Sequence, residues 1–238
     1  MSKFFIKANG MSVEFPAKTS SGGALAVDRA SRLGGRIVTV GRERQVVRAL
    51  NDINLDIQAG DRIGIAGPNG SGKTTLLRTL KGVYHPTRGN LEVSGRLQTF
   101  FSLGFGLNDD ASGYENIIIR GVIMGATPRE MSERAAEIGE FTELGSYLEM
   151  PLRTYSAGMR MRLSFAVATS LPSDILLMDE WLSVGDASFR NKASERLDEV
   201  LKATGILVLA SHNLDLLDRV CNRVITLESG CIVDERVV

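Results

Sequence analysis

Eight consecutive residues, Gly67-Pro68-Asn69-Gly70-Ser71-Gly72-Lys73-Thr74, have the types and spacing of a phosphate cradle. The glycines allow a tight turn and aim backbone N–H groups inward. A lysine at the seventh position can reach β- and γ-phosphates, and the following hydroxyl can ligate Mg²⁺. An apolar run, Ile63-Gly64-Ile65-Ala66, enters the loop as a buried strand, and Thr75-Leu76-Leu77-Arg78-Thr79-Leu80 leaves it as a helix. That helix, starting at Gly72, adds its positive end to the cradle. A glycine-rich turn that only links strand to helix accounts for the glycines but not for Lys73 and Thr74 in register with both flanks. Gly67, Pro68, Asn69, Gly70, Ser71, Gly72, Lys73, Thr74 and Thr75 are therefore expected to bind a nucleoside triphosphate, with Lys73 also taking part in catalysis.

Further residues complete a phosphoryl-transfer set. Ile175-Leu176-Leu177-Met178 reads as a buried strand that ends in Asp179-Glu180. At the tip of a parallel strand beside the loop, Asp179 can hold Mg²⁺ with Thr74, and Glu180 can orient or deprotonate the attacking water. Alone, two acids after a strand are as readily a solvated helix cap; the phosphate loop upstream decides between the readings. Tyr155-Ser156-Ala157-Gly158-Met159 precedes a helical stretch from Arg160 to Ser170, and Ser156 by itself reads as an ordinary N-cap. His212 follows another buried strand, Ile206 to Ala210, where it can sense a terminal phosphate.

The elements that must carry these residues follow from pattern. Apolar strands alternate with helices in the second half, which implies a parallel sheet covered on both faces. Phe4 to Phe15 reads as one or two strands and Val46 to Ile57 as another. Tyr84 to Asn90 reads as a turn, and Leu91 to Val93 and Arg96 to Phe101 as short strands. No strand signal lies between Phe105 and Leu171, so a helical subdomain is placed at about 105–171. Residues 17–45 read as an inserted loop with a short helix. Ala187 to Ala203 is an amphipathic helix, Leu214 to Val220 a short one, and Arg223 to Leu227 with Cys231 to Val233 a closing strand pair. The chain has 238 residues, and its 28 basic and 28 acidic side chains cancel, which argues against a large nucleic-acid footprint. Its two cysteines, Cys221 and Cys231, lack metal-ligand spacing and are expected to be reduced. No apolar run approaches the length of a membrane span, and the N-terminus does not read as a signal peptide.

In this order the motifs resemble the ATP-binding subunit of ABC transporters, over nearly the whole chain. The resemblance implies an α/β fold: a P-loop NTPase of the ABC nucleotide-binding type, with a mostly parallel core sheet, an antiparallel β subdomain and a helical subdomain, all in a single domain over 1–238. It makes 67–74 Walker A, 175–179 Walker B, Glu180 the catalytic glutamate and His212 the switch histidine. Tyr155, Ser156, Ala157, Gly158 and Met159 match the signature loop, which in that family faces nucleotide on the opposite subunit. Gly185 and Asp186 lie in the matching D-loop. Three departures stand out. Ala157 and Met159 replace the usual glycine and glutamine. No glutamine occurs near Leu103 to Gly106, where the Q-loop should supply one, and Gln98 comes early, on a strand. No aromatic residue lies just before Val46, which leaves Phe15 or Val46 to contact adenine.

Leu103-Gly104-Phe105-Gly106, Ser112-Gly113-Tyr114-Glu115-Asn116, Thr154 to Met159 and Val184 to Phe189 together resemble the polysaccharide-exporter branch. That branch implies an ATPase that uses ATP and Mg²⁺, pairs as a homodimer through ATP and docks on integral-membrane permease subunits. It implies export of a lipid-linked glycan of the O-antigen, capsule or teichoic acid type, at the cytoplasmic face of the bacterial inner membrane, with no nucleic acid involved. The chain stops just after the closing strands, so no C-terminal carbohydrate-binding domain is expected. Two alternatives stay open: a subunit for a small solute, which the 17–45 insert and the missing glutamine disfavour, and a soluble non-transport ATPase, for which tandem domains, heptads or a basic surface would be needed.

Overall fold

The computed structural model describes residues 4–17, 36–40, 44–100, 104, 106–180 and 187–238. The strands are β1 (Phe5–Pro16), β2 (Arg36–Val40), β3 (Arg44–Gln58), β4 (Arg62–Ala66), β5 (Arg88–Ser94), β6 (Leu97–Thr99), β7 (Ile175–Asp179), β8 (Ile206–Ala210), β9 (Arg223–Glu228) and β10 (Cys231–Val237). The helices are α1 (Lys73–Leu80), α2 (Gly113–Ile123), α3 (Pro128–Thr142), α4 (Ala157–Ser170), α5 (Ala187–Ala203) and α6 (Leu214–Val220). The chain divides into two compact units: Met1–Leu97, Asp174–Trp181 and Gly205–Val238 form the first, and Gln98–Ser173 and Leu182–Thr204 the second. Most of the expected insert lies outside the described residues, as do Leu103, Phe105 and the D-loop residues Gly185 and Asp186.

Unit 1 contains two sheets. The antiparallel one runs β2-β3-β1-β5. β1 is a single strand with register shifts rather than a pair, and the first of them, between Ala8 and Met11, spans Gly10 at φ 56°. Residues 88–90, expected in a turn, belong to β5 and pair across to β1. In the other sheet β4 is parallel to both β8 and β9, and β7 is parallel to β8. Ile175, Leu176, Leu177 and Met178 are fully buried, as are Leu209 and Ala210. A strand covered on both faces must be apolar at every position, so these segments show continuous runs rather than alternation. The consequence for the site is that residues just past the ends of β4, β7 and β8 emerge together at one edge of the sheet.

Unit 2 is helical. α2 and α3 each start with a reciprocal capping box, Ser112 with Glu115 and Thr127 with Glu130, and Pro128 fits the first position of α3. Its core gathers Ile117 from α2, Met131 and Ile138 from α3, Leu148 and Leu152 from short 3₁₀ turns, and Leu163 and Val167 from α4. α4 begins at Ala157, three residues before the expected start. Ser156 accepts a hydrogen bond from the Met159 N–H and so caps a helix whose first turn contains Ala157 and Gly158. Gln98 lies on β6 and is 3% exposed; its Nε2 donates to the Met124 carbonyl at 3.3 Å.

Candidate functional site

The phosphate loop joins β4 to α1, with Gly72 as the N-cap of the helix at φ 112°. Its shape is imposed by backbone. Gly67 has φ 139°, and a Cβ there would lie 2.2 Å from the Leu227 carbonyl oxygen. Only glycine fits that position. The β9–β10 turn pins the far side of the loop: the Gly230 N–H donates to the Ser71 carbonyl at 2.9 Å, and the Gly230 carbonyl accepts from Asn51 N–H at 2.8 Å. Lys73 is 9% exposed. Its ammonium donates to the carbonyls of Gly67 at 2.7 Å and Pro68 at 3.0 Å, across the mouth of the loop.

An open cleft of about 380 Å³ lies over this loop, lined by Phe15, Val47, Ala49, Asn69, Gly70, Gly72, Lys73, Thr74, Thr75, Asp179 and Glu180. The two residues expected to share a metal are brought together: the Thr74 hydroxyl donates to Asp179 Oδ2 at 2.8 Å. A hydroxyl and a carboxylate side by side, facing room for phosphate oxygens and water, suit a small hard cation such as Mg²⁺. Of the two adenine candidates, Phe15 lines the cleft. Val46 is in the core, 5% exposed, while its neighbour Val47 faces the cleft. Alternation along β3 decides this, since adjacent residues point to opposite faces. The Phe15 and Tyr84 rings pack nearly perpendicular at a centroid distance of 5.0 Å.

Glu180 and His212 also meet. Glu180 takes φ 67°, and its N–H donates to the Ala210 carbonyl at 2.8 Å. Its Oε1 lies 2.9 Å from His212 Nδ1 and accepts the His212 backbone N–H at 3.3 Å. Its Oε2 accepts the Ser211 hydroxyl at 2.9 Å. Partial burial pushes the carboxyl up, but the hydrogen bonds from His212 and Ser211 and the His212 charge outweigh it and leave the group below the usual range. A carboxyl so held stays ionised at neutral pH.

The five residues of the expected signature loop part company. Tyr155 is 6% exposed, and its hydroxyl donates to the Tyr147 carbonyl at 2.6 Å, so its side chain belongs to the core of unit 2. Burial, reinforced by Tyr114, raises its pKa. Ser156, Gly158 and Met159 line a groove with Leu144, Tyr147 and Arg162. The loop before α2 braces this helix start. Asp109 pairs with Arg160 at 2.5 Å and Asp110 with Arg153 at 2.9 Å. Asn116, fully buried, shares its amide protons among the carbonyls of Asn108, Ala111 and Ser112 and accepts the Asn108 N–H. Sequence reading gives no role to Asn116, Ser211 or Gly230. Ser211 adjoins the histidine, and adjacency is the one signal that points to it; Asn116 falls in the Ser112–Asn116 motif, but its role, like that of Gly230, becomes visible only with its partners in space.

A family model described as ABC transporter matches residues 50–183, and the chain belongs to that family. It is 44% identical over 202 residues to the O-antigen export system ATP-binding protein RfbE of Yersinia enterocolitica, covering 85% of this chain and 84% of that one. It is 43% identical to the O-antigen export system ATP-binding protein RfbB of Myxococcus xanthus, covering 80% of this chain but 44% of that longer protein. It is 38% identical to the teichoic acids export ATP-binding protein TagH of Shouchella clausii, covering 76% of this chain and 50% of that one. The fold is that of an ABC ATPase cassette: a dimeric ATP-binding cassette solved with ADP and Pi superposes with a TM-score of 0.67 at 20% identity, covering 98% of both chains.

Proposed function

We propose that this chain is the ATP-hydrolysing subunit that powers export of a lipid-linked polysaccharide, of the O-antigen or capsule type, through a separate membrane permease. The observation that carries the ATPase reading is the convergence, on one cleft edge, of the phosphate loop, the Thr74–Asp179 pair and the Glu180–His212 pair. The cargo is inferred from kinship with O-antigen and teichoic acid export ATP-binding proteins. Among the described residues no helix is long and apolar enough to cross a membrane, so the permease supplies the spanning part. The working place is the cytoplasmic face of the bacterial inner membrane.

In this reading the N–H groups of the loop and the start of α1 receive the phosphates, and Lys73 turns from its own carbonyls to the β- and γ-oxygens. Thr74 and Asp179 would hold Mg²⁺, which when bound would neutralise negative charge on the phosphate oxygens. Glu180 orients a water in line with the γ-phosphorus and accepts its proton. The water oxygen forms the new P–O bond as the bond to the β-phosphate oxygen breaks, leaving ADP and inorganic phosphate. His212 steadies Glu180 and contacts the terminal phosphate. Ser156 to Met159 of a second copy close over the nucleotide, so ATP binding joins a homodimer and hydrolysis opens it.

Glu180→Gln keeps the shape and removes the base. It should lower hydrolysis by ~10²-fold or more while ATP still binds. In cells carrying only that variant, surface glycan should fall and glycan should accumulate inside the inner membrane. Near-normal turnover would remove Glu180 from its role, and unchanged glycan with a dead ATPase would remove the cargo.

A further inference from the structure

Ser211 stands one residue beyond β8, between the last buried strand residue and His212. It is 1% exposed, and its N–H donates to the Ile65 carbonyl at 3.2 Å, so the neighbouring strand β4 fixes its backbone. Its hydroxyl has two partners. It accepts the Asn213 N–H at 3.2 Å and lies 2.9 Å from Glu180 Oε2. A hydroxyl has one proton to give, and a backbone N–H can only donate, so the Ser211 proton is directed at Glu180. The adjacent residue grips the other oxygen: Oε1 receives the His212 N–H and faces Nδ1. One three-residue turn thus holds both oxygens of a side chain that is itself 45% exposed.

That grip answers a physical need. A glutamate has three side-chain torsions, and a half-exposed one explores many rotamers unless something holds it. A base acts on a water in line with phosphorus only from a narrow range of positions. His212 supplies contacts to one oxygen, and a single-sided hold leaves the carboxylate free to pivot about it. The buried serine closes that freedom from the other side, and its anchorage in the parallel sheet makes it the more rigid of the two.

We propose that Ser211 is a positioning residue for hydrolysis, its hydroxyl clamping Oε2 so that Glu180 meets the attacking water in one orientation. This rests on the reading of Glu180 as the base, and the test separates the two. With the purified full chain and Mg-ATP, Ser211→Ala is expected to lower kcat by roughly 10- to 100-fold. KM and the affinity for a fluorescent ATP analogue should stay within about twofold, because the serine touches no nucleotide-facing group other than Glu180. Ser211→Thr should recover most of the loss. On a Glu180→Gln background, Ser211→Ala should cost nothing further, since the group it positions is already gone. Should Ser211→Ala fail to fold, Ser211→Cys keeps the size with a weaker donor and should fall between serine and the Glu180→Gln rate. A wild-type rate in Ser211→Ala alongside a dead Glu180→Gln would overturn the positioning role alone. So would a loss of equal size on both backgrounds, or one that threonine leaves unrecovered. A near-normal Glu180→Gln rate would overturn the base assignment on which it stands.

Discussion

In unit 1 the residues that face the cleft are held mainly by backbone. Gly67 and Gly72 take positive φ, Gly230 ties the turn beyond β9 to Ser71, and Glu180 is fixed by a main-chain bond to Ala210 before its side chain finds a partner. In unit 2 the start of α4 is held mainly by side chains: the Asn116 amide, the Asp109–Arg160 and Asp110–Arg153 pairs, and the Tyr155 hydroxyl. The difference follows from what each must offer. A phosphate cradle is made of main-chain N–H groups, and these are placed only by fixing φ and ψ. The start of α4 is a capped helix end that needs only to be carried as a block, and side-chain ties suffice for that.

The contrast can be broken at several points, with decreasing effect. Gly67→Ala forces a Cβ to within 2.2 Å of the Leu227 carbonyl at φ 139°. It should destabilise unit 1 by on the order of 3 kcal/mol or more and abolish nucleotide binding. Urea unfolding and titration with a fluorescent ATP analogue measure both; intact binding would show that the loop is more plastic than its backbone implies. Asn116→Ala strips the donor from three carbonyls at a fully buried position. Its expected cost is roughly 2–4 kcal/mol by urea unfolding, with nucleotide affinity unchanged. A fall in affinity instead would mean that the two units do not keep separate supports. Tyr155→Phe removes one hydrogen bond to the Tyr147 carbonyl and leaves the ring in place, at about 1 kcal/mol. Arg160→Ala removes a pair whose partners are 31% and 61% exposed. Screening should hold that loss below about 1 kcal/mol, and it should shrink further in high salt. A larger, salt-insensitive loss would show that the Arg160 stem packs as well as pairs.

Much of this was legible in the chain because several signals were redundant. The phosphate loop carried its own motif, a strand before it and a helix after it. β7 and β8 were short apolar runs leading into the acids and the histidine expected at the site. α3 was legible as part of the strand-free stretch at about 105–171, its Thr127–Glu130 cap emerging with the structure, whereas α5 showed amphipathic spacing over Ala187–Ala203. Where the reading slipped, one weak signal stood against another. Residues 88–90 are polar with a glycine, as turns are, yet they pair with β1 because an edge strand tolerates such residues. The start of α4 was set three residues late because serine, alanine and glycine count little toward helix until the cap is seen.

The sequence by itself determined the class of chemistry: a phosphate-loop motif, two consecutive acids and a histidine, each at the end of a recognisable strand or loop. That information is local, written in spacing over a few residues, so no fold was needed to read it. Tertiary structure alone decided which of these groups touch. Asp179 meets Thr74 across 105 positions of chain, and Glu180 meets Ser211 and His212 across 31 and 32, the latter because parallel pairing of β7 with β8 sets Asp179 opposite Ala210. It also decided that Val47 rather than Val46 faces the cleft, and that Tyr155 turns inward while Ser156 caps a helix. Strand register and the choice of buried face are settled by packing against residues far along the chain, and no short stretch of sequence contains them.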